Sequence, residues 1–332
     1  EDIGASLKDS SFNTKQLDAS AELLAETSSS FDNKVLKENI IVDRVYEAAS
    51  PIITNIDGQK LLIYTDIDNS RNTYNQTAIY YSLYDESTGR FEEPQVLDND
   101  DTADYRPQVY EDGENLFVYF SDSNTVYEED AAPSLSEYAK TFGISIYKFN
   151  SEKKEFEEIV VINENQYCYH PTMYKDGEKI LLGWAENSEG NVFGADGVNT
   201  IKAATITNDG TYNIEVIADD VRAITGLAIG NMDKEARIVY TEAQENNLYG
   251  EQICKLVISD LSGNVQAEKR TELAGIKFED LYQNGNNVLM AEQQGEIVTI
   301  DNTLNIQDII PIETGGAISE FVVDNGKIYC IN

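Results

Sequence analysis

Five carboxylates, Asp66, Asp122, Glu186, Glu242 and Glu292, recur at one place in a repeating pattern, each at the close of an apolar run. Carboxylates so placed can do three kinds of chemistry. They can hold a hard cation, for which calcium is the natural candidate because it takes carboxylate and carbonyl oxygens. They can act as acid and base or nucleophile on a glycosidic bond, given a suitable separation and pKa values pushed apart. Or they can accept backbone N–H groups as repeated anchors. Gathered near one mouth at about 7 Å, with an effective dielectric near 20, each neighbouring pair would repel by roughly 2 kcal/mol. A raised pKa, loop amides, a nearby Arg or a bound cation must offset that. Catalytic groups are usually singular, whereas these acids recur unit after unit, which favours an anchor or a metal role. Asp66-Ile67-Asp68-Asn69 and Asp98-Asn99-Asp100-Asp101 add oxygen donors without EF-hand spacing.

Aromatic residues form the second group. Tyr74, Tyr105, Tyr127, Tyr138, Tyr167, Tyr169, Phe193 and Tyr249 fall in expected loops among Asn and Asp. Aromatic faces beside amides and carboxylates suit sugar rings or a protein partner, and the same residues also suit packing of loops on each other. The only histidine, His170, precedes Pro171, and Arg106 holds the equivalent place before Pro107. No Ser or Cys nucleophile motif accompanies His170. Arg71, Arg106 and Arg222 are three arginines that could converge on a substrate carboxylate. The ligand-binding set is therefore Tyr74, Tyr105, Arg106, Tyr127, Tyr169, His170, Phe193 and Tyr249. The metal set is the five closing acids, and no catalytic residue is assigned. The lone Trp184 is expected in the core.

A repeated unit must position these groups. Pro51 to Asp66 (PIITNIDGQKLLIYTD) returns as Pro107 to Asp122 and as Pro171 to Glu186, with looser copies over Ile224 to Glu242 and Phe278 to Glu292 and a shortened one over Ile318 to Asn332. Asp57-Gly58, Asp112-Gly113 and Asp176-Gly177 mark tight hairpin turns, so each copy is two antiparallel strands, a and b. Between copies lie two further strands, c and d: Ala78 to Asp85 with Phe91 to Leu97, Gly143 to Phe149 with Phe156 to Ile162, Ile201 to Thr207 with Tyr212 to Ile217, and Glu296 to Ile300 with Ile306 to Ile310. The closing acids stand 56, 64, 56 and 50 residues apart. That period is too long for leucine-rich or ankyrin arrays and suits a four-stranded propeller blade.

The fold class is thus all-β, a six-bladed β-propeller over residues 33–332; five or seven blades follow if the loose fourth unit is counted differently. Val35 to Val42 is expected as the outer strand of the terminal blade, closing the circle with both ends of the chain. Residues 1–32 form a polar extension with one amphipathic helix around Thr14 to Thr27, where Leu17, Ala21 and Leu24 share a face. The start of strand a and the end of strand b lie at one end of a blade. The closing acids and the long b-to-c insertions, 123–142 and 187–200, accordingly share that end, and loops on a rigid scaffold are where binding concentrates.

Bulk composition narrows the partners. The 332 residues carry 60 acidic against 24 basic side chains, a formal charge of −36 that repels nucleic acid and anionic headgroups. A mean hydropathy of −0.41 and the lack of a long apolar run argue against membrane insertion. Cys168, Cys254 and Cys330 are far apart and make no CxxC motif. The chain starts at Glu1, from which we expect a preceding removed segment such as a secretion signal.

The P-x-(I/V)-x-x-DG pattern with its hydrophobic run, followed by YYSLYDESTGRFEEPQVL, resembles β-propeller modules of large extracellular bacterial proteins, distantly similar to sialidase-like propellers. The sialidase Asp box, S-x-D-x-G-x-x-W, is missing from every unit. The resemblance implies the fold; the repeat, the acidity and the uneven loops lead to the expectation of an extracellular or cell-surface module that binds a protein or glycan, with calcium as the candidate ion. A glycoside hydrolase using mouth carboxylates is the alternative.

Overall fold

The computed structural model describes residues 49–192, 194, 196–243, 254–271, 281–284, 287–292, 296–311, 320–324 and 327–331. The expected N-terminal helix, the closing strand Val35 to Val42, Phe193 and Tyr249 lie outside the described residues.

The described chain is all-β, with a single five-residue helix, and its strands run almost entirely in sequence order. In the first sheet β1 (Ile52–Ile56), β2 (Gln59–Ile67) and β3 (Thr77–Asp85) are consecutive neighbours, and β4 (Arg90–Phe91) and β5 (Gln95–Val96) both pair with β3. The next has β6 (Asp104–Glu111), β7 (Leu116–Ser123), β8 (Phe142–Asn150) and β9 (Glu155–Ile162) in that order. The same order holds for β10 (Tyr167–Asp176), β11 (Lys179–Asn187), β12 (Asn199–Ile206) and β13 (Tyr212–Val221). It holds again for β14 (Ile224–Met232), β15 (Glu235–Ala243), β16 (Cys254–Asp260) and β17 (Val265–Thr271). A further sheet comprises β18 (Leu281–Asn284), β19 (Asn287–Glu292), β20 (Glu296–Asp301) and β21 (Ile306–Pro311). A hairpin of β22 (Glu320–Asp324) and β23 (Lys327–Ile331) completes the set. By compactness the chain divides into two units, residues 1–131 with 148–157, and residues 132–147 with 158–332.

Burial explains why these runs become strands. In the first unit Leu61, Leu62, Ile63, Tyr64 and Thr65 of β2 are all buried, so an inner strand reads as an unbroken apolar run. Strand β13 in the second unit is largely exposed, as an outer strand should be. Within the second unit consecutive sheets pack face to face. Ala185, Ile201 and Ala203 of one sheet meet Leu227, Ile238 and Val257 of the next. Ala228, Val239 and Leu256 then meet Val298 and Ile300 of the third. Each such side chain, fully buried, contributes roughly 1.5–3 kcal/mol, somewhat less for alanine.

Several local expectations needed correction. Phe91 to Leu97 is not one strand: Pro94 has no N–H to give the ladder, and pairing survives only as the two-residue pieces on either side of it. The fourth unit, whose c and d strands were not located from the sequence, has them as β16 and β17. The 123–142 loop contains helix α1 (Leu135–Ala139), started by a capping box in which Ser134 and Glu137 exchange side-chain and backbone hydrogen bonds. The three Asp-Gly turns also differ. Both residues of Asp57-Gly58 have positive φ (51° and 79°), whereas at the other two only the glycine does.

Candidate metal centre

Strand register puts the closing acids at equivalent places. Asp122 of β7 lies opposite Asp104 of β6, Glu186 of β11 opposite Cys168 of β10, and Glu242 of β15 opposite Ile224 of β14. Asp66 follows Thr65, whose N–H donates to the Ala49 carbonyl at 2.8 Å. Their surroundings are nonetheless unlike.

In the second unit the acids are met by lysines. Glu186, with its side chain 1% exposed, holds Lys202 Nζ at 2.8 Å through Oε2 and accepts the Trp184 indole N–H at 2.8 Å through Oε1. Lys202 also pairs with Glu164. Burial works against the Lys202 charge, but the Glu164 and Glu186 carboxylates outweigh it and raise its pKa. The adjacent Cys168 thiol is pushed well up by burial and then by the Glu186 charge, which makes it unreactive. Glu242 pairs with Lys255 Nζ at 3.0 Å and accepts the Arg222 N–H at 3.1 Å. Glu292 ends β19 opposite Glu296, and its side chain lies outside the described residues.

In the first unit the surroundings of the closing acids are different. Asp66 accepts the Ile67 N–H at 2.8 Å. Asp122 instead lies among carboxylates: Asp98, Asp100 and Asp122 each offer an oxygen, all within 4.8 Å of one another. Thr102 links two of them, its Oγ donating toward Asp100 Oδ1 at 2.7 Å with Asp122 Oδ1 at 3.2 Å. Asp104 stands opposite Asp122 across the hairpin, beside these three and not among the oxygens that meet within 4.8 Å. It is fully buried, and neither carboxylate oxygen has a hydrogen-bond partner. Burial first, then the charges of Asp122, Asp98 and Asp100, push its carboxyl well above the usual range, with Arg71 opposing. Two carboxylates about 5 Å apart repel by about 3 kcal/mol at an effective dielectric of 20, so the cluster requires a counter-charge or protons.

Arg71 braces the surrounding loops. Its Nη1 donates to the Thr102 carbonyl at 2.6 Å and its Nη2 to Asn99 Oδ1 at 3.3 Å, while Nε lies 3.3 Å from Asp68 Oδ2. Asp68 is itself drawn below the ordinary carboxylate range, chiefly by the Ser70 hydroxyl.

Of the expected ligand residues, the structure brings Tyr74 and Tyr127 together, with ring centroids 5.7 Å apart at 49°. Asn75 fixes them: its Nδ2 donates to the Tyr127 carbonyl at 2.8 Å and its Oδ1 accepts the Tyr127 N–H at 3.0 Å, and Asn72 donates to the same carbonyl. Both rings are half-buried. Tyr105 is half-buried opposite Ser121, and Arg106 is exposed on a β-bulge with φ of 56°. His170 occupies the matching bulge of β10 with φ of 49°. Such non-glycine conformations are costly and bulges re-aim side chains. Tyr169 is mostly in the core, stacked on Tyr167 at 5.4 Å and 9° and donating its hydroxyl to Asn199 Oδ1 at 2.9 Å. Trp184 is fully buried, as expected.

Sequence reasoning missed Asp104, Asn72 and Asn75. Counting the hairpin register outward from Asp112-Gly113, with one bulge before Gln108, places Asp104 against Asp122. The asparagines carry no local signal, because their partner Tyr127 is 52 and 55 residues away.

No protein-family model matches the chain, and no curated protein matches it. Among solved structures it is similar to the α-L-arabinofuranosidase Arb93A of Fusarium graminearum bound to an iminosugar inhibitor, at 11% identity and a TM-score of 0.52, covering 83% of this chain and 84% of that one. It is similar to the polysaccharide lyase Uly1 at 12% identity and a TM-score of 0.52, covering 85% and 73%. Likeness to the Dos1 propeller is weaker, with 10% identity, a TM-score of 0.49 and coverage of 84% and 63%. The arabinofuranosidase is a β-propeller protein, and what the present chain shares with it is a fold.

Proposed function

We propose that the chain is an extracellular or surface-displayed propeller module that binds a glycan on its loop-bearing end. The observation that carries this reading is the Tyr74–Tyr127 pair, held from beneath by Asn72 and Asn75 as a half-exposed aromatic surface. Sugar rings present C–H faces to such rings. A platform already ordered before binding loses little conformational entropy when the ligand arrives.

Six sheets in near-sequential strand order among the described residues, the last a two-stranded hairpin, support a count of six blades. Arabinose-directed and polysaccharide-directed activity belongs by name to the two fold neighbours and suggests arabinose-containing and other polysaccharides as the first ligands to try. Oligosaccharide array binding, followed by titration calorimetry of any hit, tests the proposal. Tyr74→Ala and Tyr127→Ala should each weaken the interaction at least tenfold, about 1.4 kcal/mol. An array on which the parent chain retains nothing, or tyrosine variants that bind as the parent does, would defeat it.

The second reading, glycoside hydrolysis by mouth carboxylates, draws its support from the α-L-arabinofuranosidase activity named for one of those neighbours. Release of reducing ends that disappears in Asp122→Asn or Glu186→Gln would support it, and release that persists in both would remove those residues from the chemistry.

A further inference from the structure

We propose that Asp98, Asp100, Asp104 and Asp122 form a calcium site in the first unit, a role that stands independently of glycan binding. Three of these residues present oxygens within 4.8 Å of one another, about twice the 2.3–2.6 Å at which calcium takes oxygen ligands. The fourth supplies a separate observation. Asp104 is wholly buried, and its two oxygens meet no hydrogen-bond donor. Pairing of β6 with β7 sets it directly opposite Asp122, and directly paired residues of antiparallel strands turn their side chains to the same face, about 5 Å apart at Cβ. A buried carboxylate without a donor is an expensive arrangement that folded proteins rarely tolerate. One divalent cation at the centre of the group answers both the orphaned oxygens and the crowding of like charge.

The comparison with the second unit sharpens the assignment. There the corresponding acids Glu186 and Glu242 are each met by a lysine from the third strand of their sheet, Lys202 and Lys255. The first unit gathers three more aspartates around Asp122. Nature and spacing of the donors select the metal. All are carboxylate oxygens, which disfavours zinc and other ions that prefer nitrogen or sulfur. Magnesium needs 2.0–2.1 Å octahedral contacts and gives up water reluctantly, whereas calcium accepts the wider, less regular cage. With the Leu97 N–H bonded to Ile79 and Arg71 bonded to Thr102 and Asn99, the ion would fasten the 98–102 loop to the end of β7. Its role there is structural.

The test uses the whole chain, stripped with chelator and titrated calorimetrically with calcium chloride, alongside thermal unfolding in calcium, in magnesium and in chelator. The expected result is one calcium per chain, a rise in Tm of several degrees with calcium, and a much smaller rise with the same concentration of magnesium. Asp100→Asn, at an exposed position where folding is not at stake, should weaken calcium binding at least tenfold. Asp104→Asn should abolish the calcium-dependent rise while unfolding cooperatively in chelator. Asp260→Asn, on a turn of the second unit, should bind as the parent does. No heat and no Tm change in the parent would overturn the proposal, as would equal responses to magnesium and calcium. So would parental affinity in both Asp100→Asn and Asp104→Asn.

Discussion

Asp104 sits directly opposite Asp122 at the mouth of the β6–β7 hairpin, and both side chains are buried. Facing carboxylates repel where facing apolar residues would attract, so this hairpin end is held against an electrostatic cost. Replacing Asp104 with Asn removes one of the charges at nearly constant volume. In chelator the variant should be more stable than the parent, by a margin that grows toward about 3 kcal/mol as rising pH forces the buried Asp104 carboxyl to ionise, read from the shift in urea midpoint at unchanged slope. A variant less stable than the parent would mean that the charges are not in conflict.

Lys202 and Glu186 form the opposite case, a compensated buried pair. Lys202→Met would strand the Glu186 charge, 1% exposed, and should destabilise the chain by about 3–5 kcal/mol. Adding Glu186→Gln to that background should restore part of the loss. Equilibrium unfolding of the single and double variants, analysed as a cycle, checks both statements.

The outer hairpin turns predict an acid-side loss of stability. Asp85 is held below the usual carboxylate range chiefly by the Ser87 hydroxyl, Asp260 by the Asn264 amide, and Asp301 by the Asn305 and Thr303 groups. A carboxylate with a lowered pKa in the folded state stabilises above its unfolded pKa, near 3.8, and that stabilisation fades as pH falls through the folded value. Urea midpoints measured from pH 6 down to pH 2 should therefore fall below about pH 4, and Asp260→Asn should flatten the decline.

Gly143 marks a close backbone approach. A Cβ there would stand 2.2 Å from the Ile162 carbonyl oxygen, which belongs to the backbone and cannot swing aside. Gly143→Ala should cost about 1–3 kcal/mol through forced separation of the strands. Thermal unfolding of this variant beside one at Gly58, whose added Cβ meets nothing within 4 Å, separates crowding from turn strain.

What the sequence alone determined was local and repeated. The hairpins built on Asp57-Gly58, Asp112-Gly113 and Asp176-Gly177, and the apolar runs that flank them, follow from turn chemistry and from burial of inner strands. The interruption at Pro94 and the Ser134–Glu137 cap are equally local, and both were legible in principle. The partners of the closing acids depended on the tertiary structure. Five acids alike in sequence context acquire a lysine at Glu186 and at Glu242, and other aspartates at Asp122. Strand c and the d-to-a loop supply those partners, 13 to 24 residues away along the chain, and only strand register and loop path decide which side chain arrives. The platform of Tyr74 and Tyr127 likewise joins loops more than 50 residues apart. Periodicity specifies where a strand begins and which face it buries, whereas the charge that meets a buried carboxylate is set by distances through space.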